Sequence, residues 1–204
     1  MVKGLVTAVT VLIVVTVVLT VPVQFFQPAQ SSEFKVPAKV QATLNLVIKD
    51  KWYNASVGMQ PAFFVLKNGA LYNSSSIYLP AGEMIRVNIV SYDEMNSTLF
   101  MQSYSNVSGT LDNKIVQDSG NSTLASDTQL MRDPAVSSVN PSSVTHTFSL
   151  EANGTLINVP VTMGLNTTAY FDIENPGVYS WACMCDCGPS MYASGWMFGT
   201  VYVS

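Results

Sequence analysis

Three cysteines occupy alternate positions in the segment WACMCDCGPSM, which spans 181–191 of a chain of 204 residues. The chain has no other cysteine, its single histidine precedes this segment, and methionines follow the last thiol. Thiolate sulfur, imidazole nitrogen and thioether sulfur are the donors of copper electron-transfer sites, which accommodate both Cu(I) and Cu(II). The candidate metal ligands are therefore His146, Cys183, Cys185, Cys187, Met191 and Met197.

Two other uses of the thiols stay open on this pattern alone. A disulfide is the default in an exported protein, but residues i and i+2 of an extended strand lie about 6.6 Å apart on one face. Cys183 and Cys187 could form a bridge only if the backbone folded back between them, and the third thiol would be left over. Structural zinc normally takes four Cys or His ligands in two spaced pairs. One cluster and one histidine match that pattern poorly, so copper is favoured.

The elements that position these residues are short strands, because apolar and polar residues alternate with period two beyond residue 40. Turn signals such as Asn68-Gly69 and Asn153-Gly154 separate them. The pattern predicts an all-β sandwich or small barrel, with 108–142 as a long surface loop that carries a helical turn near 124–131. The predicted strands cover 40–48, 62–66, 76–79, 84–90, 143–150, 156–161, 169–173, 177–183 and 199–203.

An uncharged apolar run from 4 to 26 precedes this domain. At about 1.5 Å per residue it is long enough to cross a hydrocarbon layer of about 30 Å. It exceeds the apolar core of a signal peptide and ends in Phe25 and Phe26 rather than in small residues. We therefore expect one transmembrane helix over 1–26, a linker over 27–39 and one domain over 40–204. Lys3 favours a cytoplasmic N-terminus in the cell membrane and an extracytoplasmic domain.

The composition agrees with an exported domain. Only 11% of the residues are charged, the net charge is −4, and the nine Lys and Arg are scattered. No basic patch is available for nucleic acid, and no motif of a serine hydrolase, zinc hydrolase or phosphate-binding loop occurs. Membrane lipid is thus an expected partner, and nucleic acid is not. Acceptor motifs for N-linked glycans, N-x-S/T, begin at Asn54, Asn73, Asn96, Asn106, Asn121, Asn153 and Asn166.

The order of motifs around the histidine and the cysteines resembles the cupredoxin domain of haem-copper oxidase subunit II, which holds the dinuclear copper A centre. In chain order, the similar segments are the first ligand strand, a P-G-x-Y turn, two bridging thiolates and the closing strand. They are Thr145-His146-Thr147-Phe148, Pro176-Gly177-Val178-Tyr179, Cys183 with Cys187-Gly188, and 199–203. The resemblance implies a Greek-key β-sandwich after one N-terminal span, and a copper centre of one or two ions.

Departures from the family pattern alter the implied centre. The family's second histidine falls at Met191, and Cys185 stands where the family lends a backbone carbonyl. Met197 falls near the family's methionine, at a longer spacing. The resemblance therefore implies an altered copper site of His146, both bridging cysteines and a methionine, with Cys185 as an additional thiolate. Thioether in place of imidazole favours Cu(I) and raises the reduction potential, and a hydrophobic wall would exclude solvent. The aromatic residues expected in that wall are Trp181, Tyr192, Trp196 and Phe198.

The expected function is single-electron transfer by a membrane-anchored copper protein, an electron-transfer component rather than an enzyme by itself. It would act as a subunit II-like part of a respiratory terminal oxidase, beside a haem-copper oxidase subunit I, or as a free-standing carrier between a redox donor and an acceptor protein. The alternative is a metal-free structural or assembly subunit of a quinol-oxidase-type membrane complex, or a cell-surface protein.

Overall fold

The computed structural model describes residues 34–93, 97–118 and 134–204. Their short 3₁₀ turns span Gln102–Ser105, Leu111–Asn113 and Pro141–Ser143. Their strands are β1 (Ala42–Asn54), β2 (Gly58–Lys67), β3 (Ala70–Asn73), β4 (Ser76–Leu79), β5 (Ile85–Ser91), β6 (Thr98–Leu99), β7 (Ile115–Asp118), β8 (Ala135–Val136), β9 (Val144–Ala152), β10 (Thr155–Thr162), β11 (Asn166–Phe171), β12 (Gly177–Ala182), β13 (Cys185–Asp186) and β14 (Phe198–Val203).

The strands form two main sheets and one small one. The larger sheet has the order β3-β2-β1-β5-β11-β7-β8, and the smaller has the order β10-β9-β12-β14-β4. Most neighbours are antiparallel, but β1 pairs with β5 in parallel and β14 pairs with β4 in parallel. A separate two-stranded sheet joins β13 to β6. This small sheet carries Cys185 and so fixes part of the cysteine segment.

The core lies between the two main sheets. Leu46, Ile48 and Phe63 of the larger sheet and Phe148 and Trp181 of the smaller sheet are fully buried in one apolar cluster. The ring of Phe63 spans the interface, with its centroid 5.0 Å from that of Trp181 and 6.5 Å from that of Phe148. Each such side chain stabilises the fold by about 1.5–3 kcal/mol through removal of apolar surface from water. The predicted all-β sandwich is confirmed.

Each strand predicted from alternation overlaps a strand of the structure. The unpredicted strands are short, and an edge strand such as β3 is exposed at every position, so it carries no apolar alternation. A further difference lies in the predicted surface loop over 108–142, where β7 is part of the larger sheet. Ile115 and Val116 are both fully buried but belong to different apolar clusters, which removes the period-two pattern from this strand.

Two predictions fall on parts of the chain that the structure does not describe. The expected helical turn near 124–131 lies within 119–133, and the expected membrane span over 1–26 lies within 1–33. Among residues 34–93, 97–118 and 134–204, no helix has the length and apolar character needed to cross a membrane.

Candidate metal centre

His146 lies near the start of β9, opposite Val161 of β10, and is completely buried. Its Nε2 is 2.8 Å from Oδ2 of Asp93, a side chain that is itself only 1% exposed. Its Nδ1 faces the cysteines, 3.2 Å from Sγ of Cys187 and 3.9 Å from Sγ of Cys183. A ligating histidine usually donates its other ring N–H to a carboxylate or carbonyl, which fixes the tautomer and the orientation of the ring. The orientation of His146 is that of a ligand that binds through Nδ1.

The two outer cysteines approach each other because the chain turns after β12. The backbone N–H of Cys183 donates to the carbonyl of Met197 at 2.8 Å, which ties the start of the turn to the segment before β14. Cys187 follows β13, and the next residue, Gly188, has a φ of 93°. The sulfurs of Cys183 and Cys187 are 3.5 Å apart, and all three cysteines are free thiols. The backbone thus folds back as a Cys183–Cys187 bridge would require, but the sulfurs stay well beyond the length of a disulfide, about 2.05 Å.

Three donor atoms converge at this point. Nδ1 of His146 and the sulfurs of Cys183 and Cys187 lie within 4.8 Å of one another, and all three residues are buried. An ion about 2.3 Å from each sulfur and about 2.0 Å from the nitrogen, at tetrahedral angles, needs an S–S distance of about 3.8 Å and N–S distances of about 3.5 Å. The observed distances of 3.5, 3.2 and 3.9 Å differ from these by only about 0.4 Å or less. The donors therefore fit one ion with little rearrangement.

Electrostatics favour a charged pair within this group. Burial lowers the pKa of His146, but hydrogen bonds to Asp93 and Cys183 outweigh it and raise the pKa to about 9. Burial raises the pKa of Cys183, whereas hydrogen bonds from Cys185, Cys187 and His146 bring that pKa well below its ordinary value. The hydrogen bond to Cys183 and burial both raise the pKa of Cys187. Without a metal, Cys183 is thus the thiolate and His146 its imidazolium partner.

Thr147 holds the same thiolate from the backbone. Its N–H donates to Sγ of Cys183 at 3.3 Å, and its Oγ1 accepts a hydrogen bond from the N–H of Met184 at 2.8 Å. An N–H donated to a thiolate stabilises its charge in a buried environment. His146 and Thr147 are consecutive residues of β9, and Thr147 holds the sulfur of Cys183. The distance between the imidazole and that sulfur is therefore set by the backbone of β9.

The apolar wall of the site differs from the predicted set. Trp181 and Trp196 are buried as expected, and Phe198 is half-buried, but Tyr192 is 72% exposed and cannot shield the donors. The ring that packs edge-on against His146 is Phe63, with centroids 6.4 Å apart. Phe63 comes from β2 in the opposite sheet, so its role has no signal near the cysteines in the sequence.

The remaining candidate ligands are buried but lie outside the three-donor group. The thiol of Cys185 donates to Cys183 and interacts with the hydroxyl of Ser97, and both burial and that bond to Cys183 raise its pKa. Met191 and Met197 are almost fully buried in the apolar cluster that contains the cysteines. The N–H of Met197 donates to the carbonyl of Met191 at 3.3 Å, so the two backbones are coupled. Whether either thioether completes the ligand set stays a prediction.

Two further residues of the site, besides Phe63, were not predicted from the sequence. Asp93 lies two residues beyond the end of β5. A carboxylate directly after a buried strand is the one feature of the local sequence that could have pointed to it. Gln60 packs against Gly188, since a Cβ built on that glycine would lie 2.0 Å from Oε1 of Gln60. That buried oxygen has no hydrogen-bond partner, and neither has the hydroxyl of Ser190, both being among the described residues.

Comparisons with known proteins found likenesses in structure only. No known protein family matches the sequence, and no curated protein is similar to it. Auracyanin B aligns with a TM-score of 0.36 and 17% identity, over 83% of this chain and 93% of that one. A histidine-to-methionine variant of rusticyanin aligns with a TM-score of 0.38 and 13% identity, over 86% of this chain and 89% of that one. The periplasmic domain of subunit II of cytochrome oxidase (CoxB) of Bradyrhizobium japonicum aligns with a TM-score of 0.37 and 15% identity, over 83% of this chain and 88% of that one. At these TM-scores, a functional proposal must rest on the chain's own residues.

Proposed function

We propose that this domain is a cupredoxin-type copper protein that transfers single electrons. The observation that carries the proposal is the convergence of His146 Nδ1 with the sulfurs of Cys183 and Cys187 in a buried pocket. Two soft thiolates and an imidazole suit copper, and copper supplies a one-electron couple when it is bound. Zinc takes similar donors but normally needs four in a structural site, whereas the described residues offer three His, Cys or carboxylate donors here.

The protein contributes a fixed and dry set of ligands. His146 is held by Asp93 and Cys183 by the backbone of Thr147, so neither side chain has to move when the charge at the site changes. The ring of Phe63 covers one side of His146, and Trp181 packs behind Phe63. A rigid, poorly solvated site lowers the reorganisation that accompanies a change of charge, and its hydrophobic surroundings tune the reduction potential. These are the properties that electron transfer requires.

A methionine as a further donor is part of the proposal. Copper electron-transfer sites often carry a weak, long bond to a thioether. Met191 and Met197 are both buried beside the cysteine segment. We assign the fourth position to one of them, with Cys185 adjacent to Cys183 as a hydrogen-bond donor rather than a ligand.

The setting of the domain is proposed from the sequence. The apolar run over 4–26 supports a single anchor in membrane lipid, with the domain on the outer side of the membrane. The motifs shared with oxidase subunit II support a role in a respiratory terminal oxidase, next to a haem-copper subunit. A free-standing carrier uses the same site, and co-purification of a haem-bearing partner from detergent-solubilised membranes distinguishes the two.

Voltammetry on the reconstituted protein tests the proposal. The reduced protein is loaded with Cu(I) in the absence of oxygen and studied beside a zinc-loaded sample and a Cys183→Ser/Cys187→Ser variant. The proposal expects a reversible one-electron wave in the copper-loaded wild type alone. A protein that retains no copper, or a variant with the same wave, would leave the metal-free structural subunit as the better description.

A further inference from the structure

We propose that Ser149 and Asn158 are positioning residues for Cys183, although both lie outside the group of three converged donors. They act through a chain of buried hydrogen bonds that passes through the hydroxyl of Thr147 and ends at the backbone N–H of Met184. The inference deepens the proposed function and rests on it, because Cys183 is one of the proposed copper ligands.

The chain lies on the face of the smaller sheet that points away from the core. Phe148 of β9 belongs to the apolar core, so its neighbours Thr147 and Ser149 point to the opposite face. Asn158 is the cross-strand partner of Ser149 in β10. The three polar side chains are at most 2% exposed, so water does not compete for the hydrogen bonds between them.

The partners fix the direction of each hydrogen bond in the chain. Nδ2 of Asn158 lies 2.9 Å from the carbonyl of Tyr104 and 2.6 Å from that of Asn106, and a carbonyl only accepts. Oδ1 of Asn158 therefore faces Ser149 and accepts its hydroxyl proton at 2.6 Å. Because the proton of Ser149 is used there, its Oγ accepts from the hydroxyl of Thr147 at 2.8 Å.

The chain ends on the peptide unit that follows Cys183. Since the proton of Thr147 points to Ser149, Thr147 Oγ1 is free to accept the N–H of Met184, at 2.8 Å. The N–H of Cys183 itself donates to the carbonyl of Met197 at 2.8 Å. Because a peptide unit is planar, these two hydrogen bonds hold the planes on both sides of the Cys183 Cα, and with them the direction of its Cα–Cβ bond. Only the bond to Thr147 depends on side chains.

The segment over 100–108 closes the chain into a ring. The N–H of Phe100 donates to the carbonyl of Met184 at 3.0 Å, so both backbone polar groups of Met184 are bound. At the other end of the segment, Ser108 and Asn158 exchange two backbone hydrogen bonds, at 2.8 and 3.2 Å. Buried hydrogen bonds in such a series strengthen one another, so the loss of one link weakens the rest.

The ring makes the geometry of a metal ligand depend on a residue of β10. Loss of a partner that directly orients a ligand typically lowers metal affinity by about 10–100-fold. Ser149 is one hydroxyl further from the site than Thr147, so a smaller effect is expected when the chain is broken there.

Ser149→Ala breaks the chain with a small change in volume, and Thr168→Val is its matched control. The hydroxyl of Thr168 is also buried and donates to Oδ1 of Asn88 at 3.1 Å, but in the larger sheet, which holds none of the three donors. We expect the Cu(I) affinity of Ser149→Ala, measured by competition with a chelator, to be about 3–10-fold below that of Thr168→Val. After oxidation to Cu(II), the thiolate-to-copper absorption band should shift in Ser149→Ala alone, which a general loss of stability would not cause.

Amide hydrogen exchange in the reduced metal-free protein gives a readout that does not need copper. The rates at the N–H groups of Met184 and Cys183 are compared within each protein, because a general loss of stability raises both alike. We expect the ratio of the Met184 rate to the Cys183 rate to rise about 3–10-fold in Ser149→Ala and to keep its wild-type value in Thr168→Val. Asn158→Ala should raise the same ratio.

A double variant tests whether the two residues act through one chain. In Ser149→Ala/Asn158→Ala the ratio should rise no further than in the more affected single variant, because the chain is already broken. Effects that simply multiply would mean that the two side chains act separately, and would overturn the inference.

The result for the wild type separates this inference from the proposed function. If the wild type binds copper and Ser149→Ala matches Thr168→Val in affinity, absorption band and exchange ratio, the chain does not position Cys183, and the proposed function stands. If the wild type holds no copper, the proposed function fails. The exchange ratio then decides alone, since a rise in Ser149→Ala supports the chain and an unchanged ratio overturns it.

Discussion

The imidazole of His146 is held between a carboxylate and a pair of sulfurs. Its Nε2 lies 2.8 Å from Asp93 Oδ2, while Nδ1 lies 3.2 Å from Cys187 Sγ. Because the carboxylate can only accept, Nε2 carries a proton, and the lone pair for a metal can come only from Nδ1. Asp93 therefore determines which nitrogen of His146 binds.

Replacement of Asp93 by Asn removes the charge but keeps an oxygen that can accept from Nε2. Loss of such an outer partner typically lowers metal affinity by about 10–100-fold. We expect Asp93→Asn to weaken copper binding within that range, and to raise the reduction potential because a negative charge near the site favours Cu(II). Competition with a copper chelator and voltammetry measure the two effects. Asp172→Asn, at an exposed position, is the control. If Asp93→Asn has the same copper affinity and reduction potential as this control, Asp93 does not orient His146 for the metal.

The three cysteines should differ in their importance for the metal. Cys183→Ser and Cys187→Ser each remove a donor of the converged group and should abolish tight copper binding. Cys185→Ala should retain the wild-type copper content, because its thiol donates to Cys183 and lies outside the three converged donors. The small buried cavity should cost about 1 kcal/mol of stability. Copper analysis after gel filtration gives the answer. Loss of copper in Cys185→Ala would make that residue a ligand.

The stability of the metal-free protein should change little between pH 6.5 and about 9, because His146 and Cys183 act in opposite directions there. The pKa of His146 is about 9 in the folded protein, above its ordinary 6.5. The contribution of His146 to the free energy of unfolding is therefore complete below pH 6.5 and is lost as the pH rises through the pKa of the folded protein. The pKa of Cys183 is lowered from its ordinary value of about 9, so its contribution runs in the opposite sense. It grows as the pH rises from the lowered value towards 9, and between pH 6.5 and 9 it offsets the loss from His146.

Urea unfolding of the reduced metal-free protein at pH 6 and pH 9 measures the balance of the two groups. We expect little change in the free energy of unfolding of the wild type, because the loss from His146 and the gain from Cys183 each amount to about 1.4 kcal/mol per pKa unit and oppose each other. His146→Gln, which has no ionisable ring, should become more stable from pH 6 to pH 9, because only the contribution of the Cys183 thiolate remains. Parallel curves for the two proteins would mean that the imidazolium does not stabilise the fold.

Gly188→Ala should disturb the position of Cys187 through two effects. The φ of 93° is unfavourable for an alanine, and the new Cβ would lie 2.0 Å from Gln60 Oε1. We expect a loss of about 1–3 kcal/mol in stability and weaker copper binding.

A matched substitution separates those effects. Gly154 has a φ of 78°, and a Cβ added there would have no atom within 4 Å, so Gly154→Ala reports backbone strain alone. The double variant Gly188→Ala/Gln60→Ala should regain part of the copper affinity, because it removes the collision. If Gly188→Ala binds copper as tightly as Gly154→Ala does, contact with Gln60 is irrelevant to the site.

The sequence predicted what depends on local pattern. Period-two alternation located the long strands, and the thiols with the lone histidine gave the donor types. The structure brings His146 together with Cys183 and Cys187, residues that the family resemblance had paired. Alternation could not predict that Cys185 interacts with Ser97, because the chain turns within the cysteine segment and a separate pairing of β13 with β6 sets its direction.

Residues remote in sequence escaped prediction for a physical reason. Asp93 is 53 positions from His146, and Phe63 approaches the ring from the opposite sheet. Such contacts follow from how two sheets pack, and packing leaves no periodic signal in either segment. The strand β7 escaped for a related reason, since both of its faces are covered and its residues do not alternate.

X-ray absorption at the copper edge of the reconstituted wild-type protein tests the central claim most directly. We expect a coordination shell with two sulfurs at roughly 2.3 Å and the scattering of one imidazole. A shell of oxygen and nitrogen without sulfur would contradict the account, as would a protein that holds no copper because Cys183 and Cys187 have formed a disulfide.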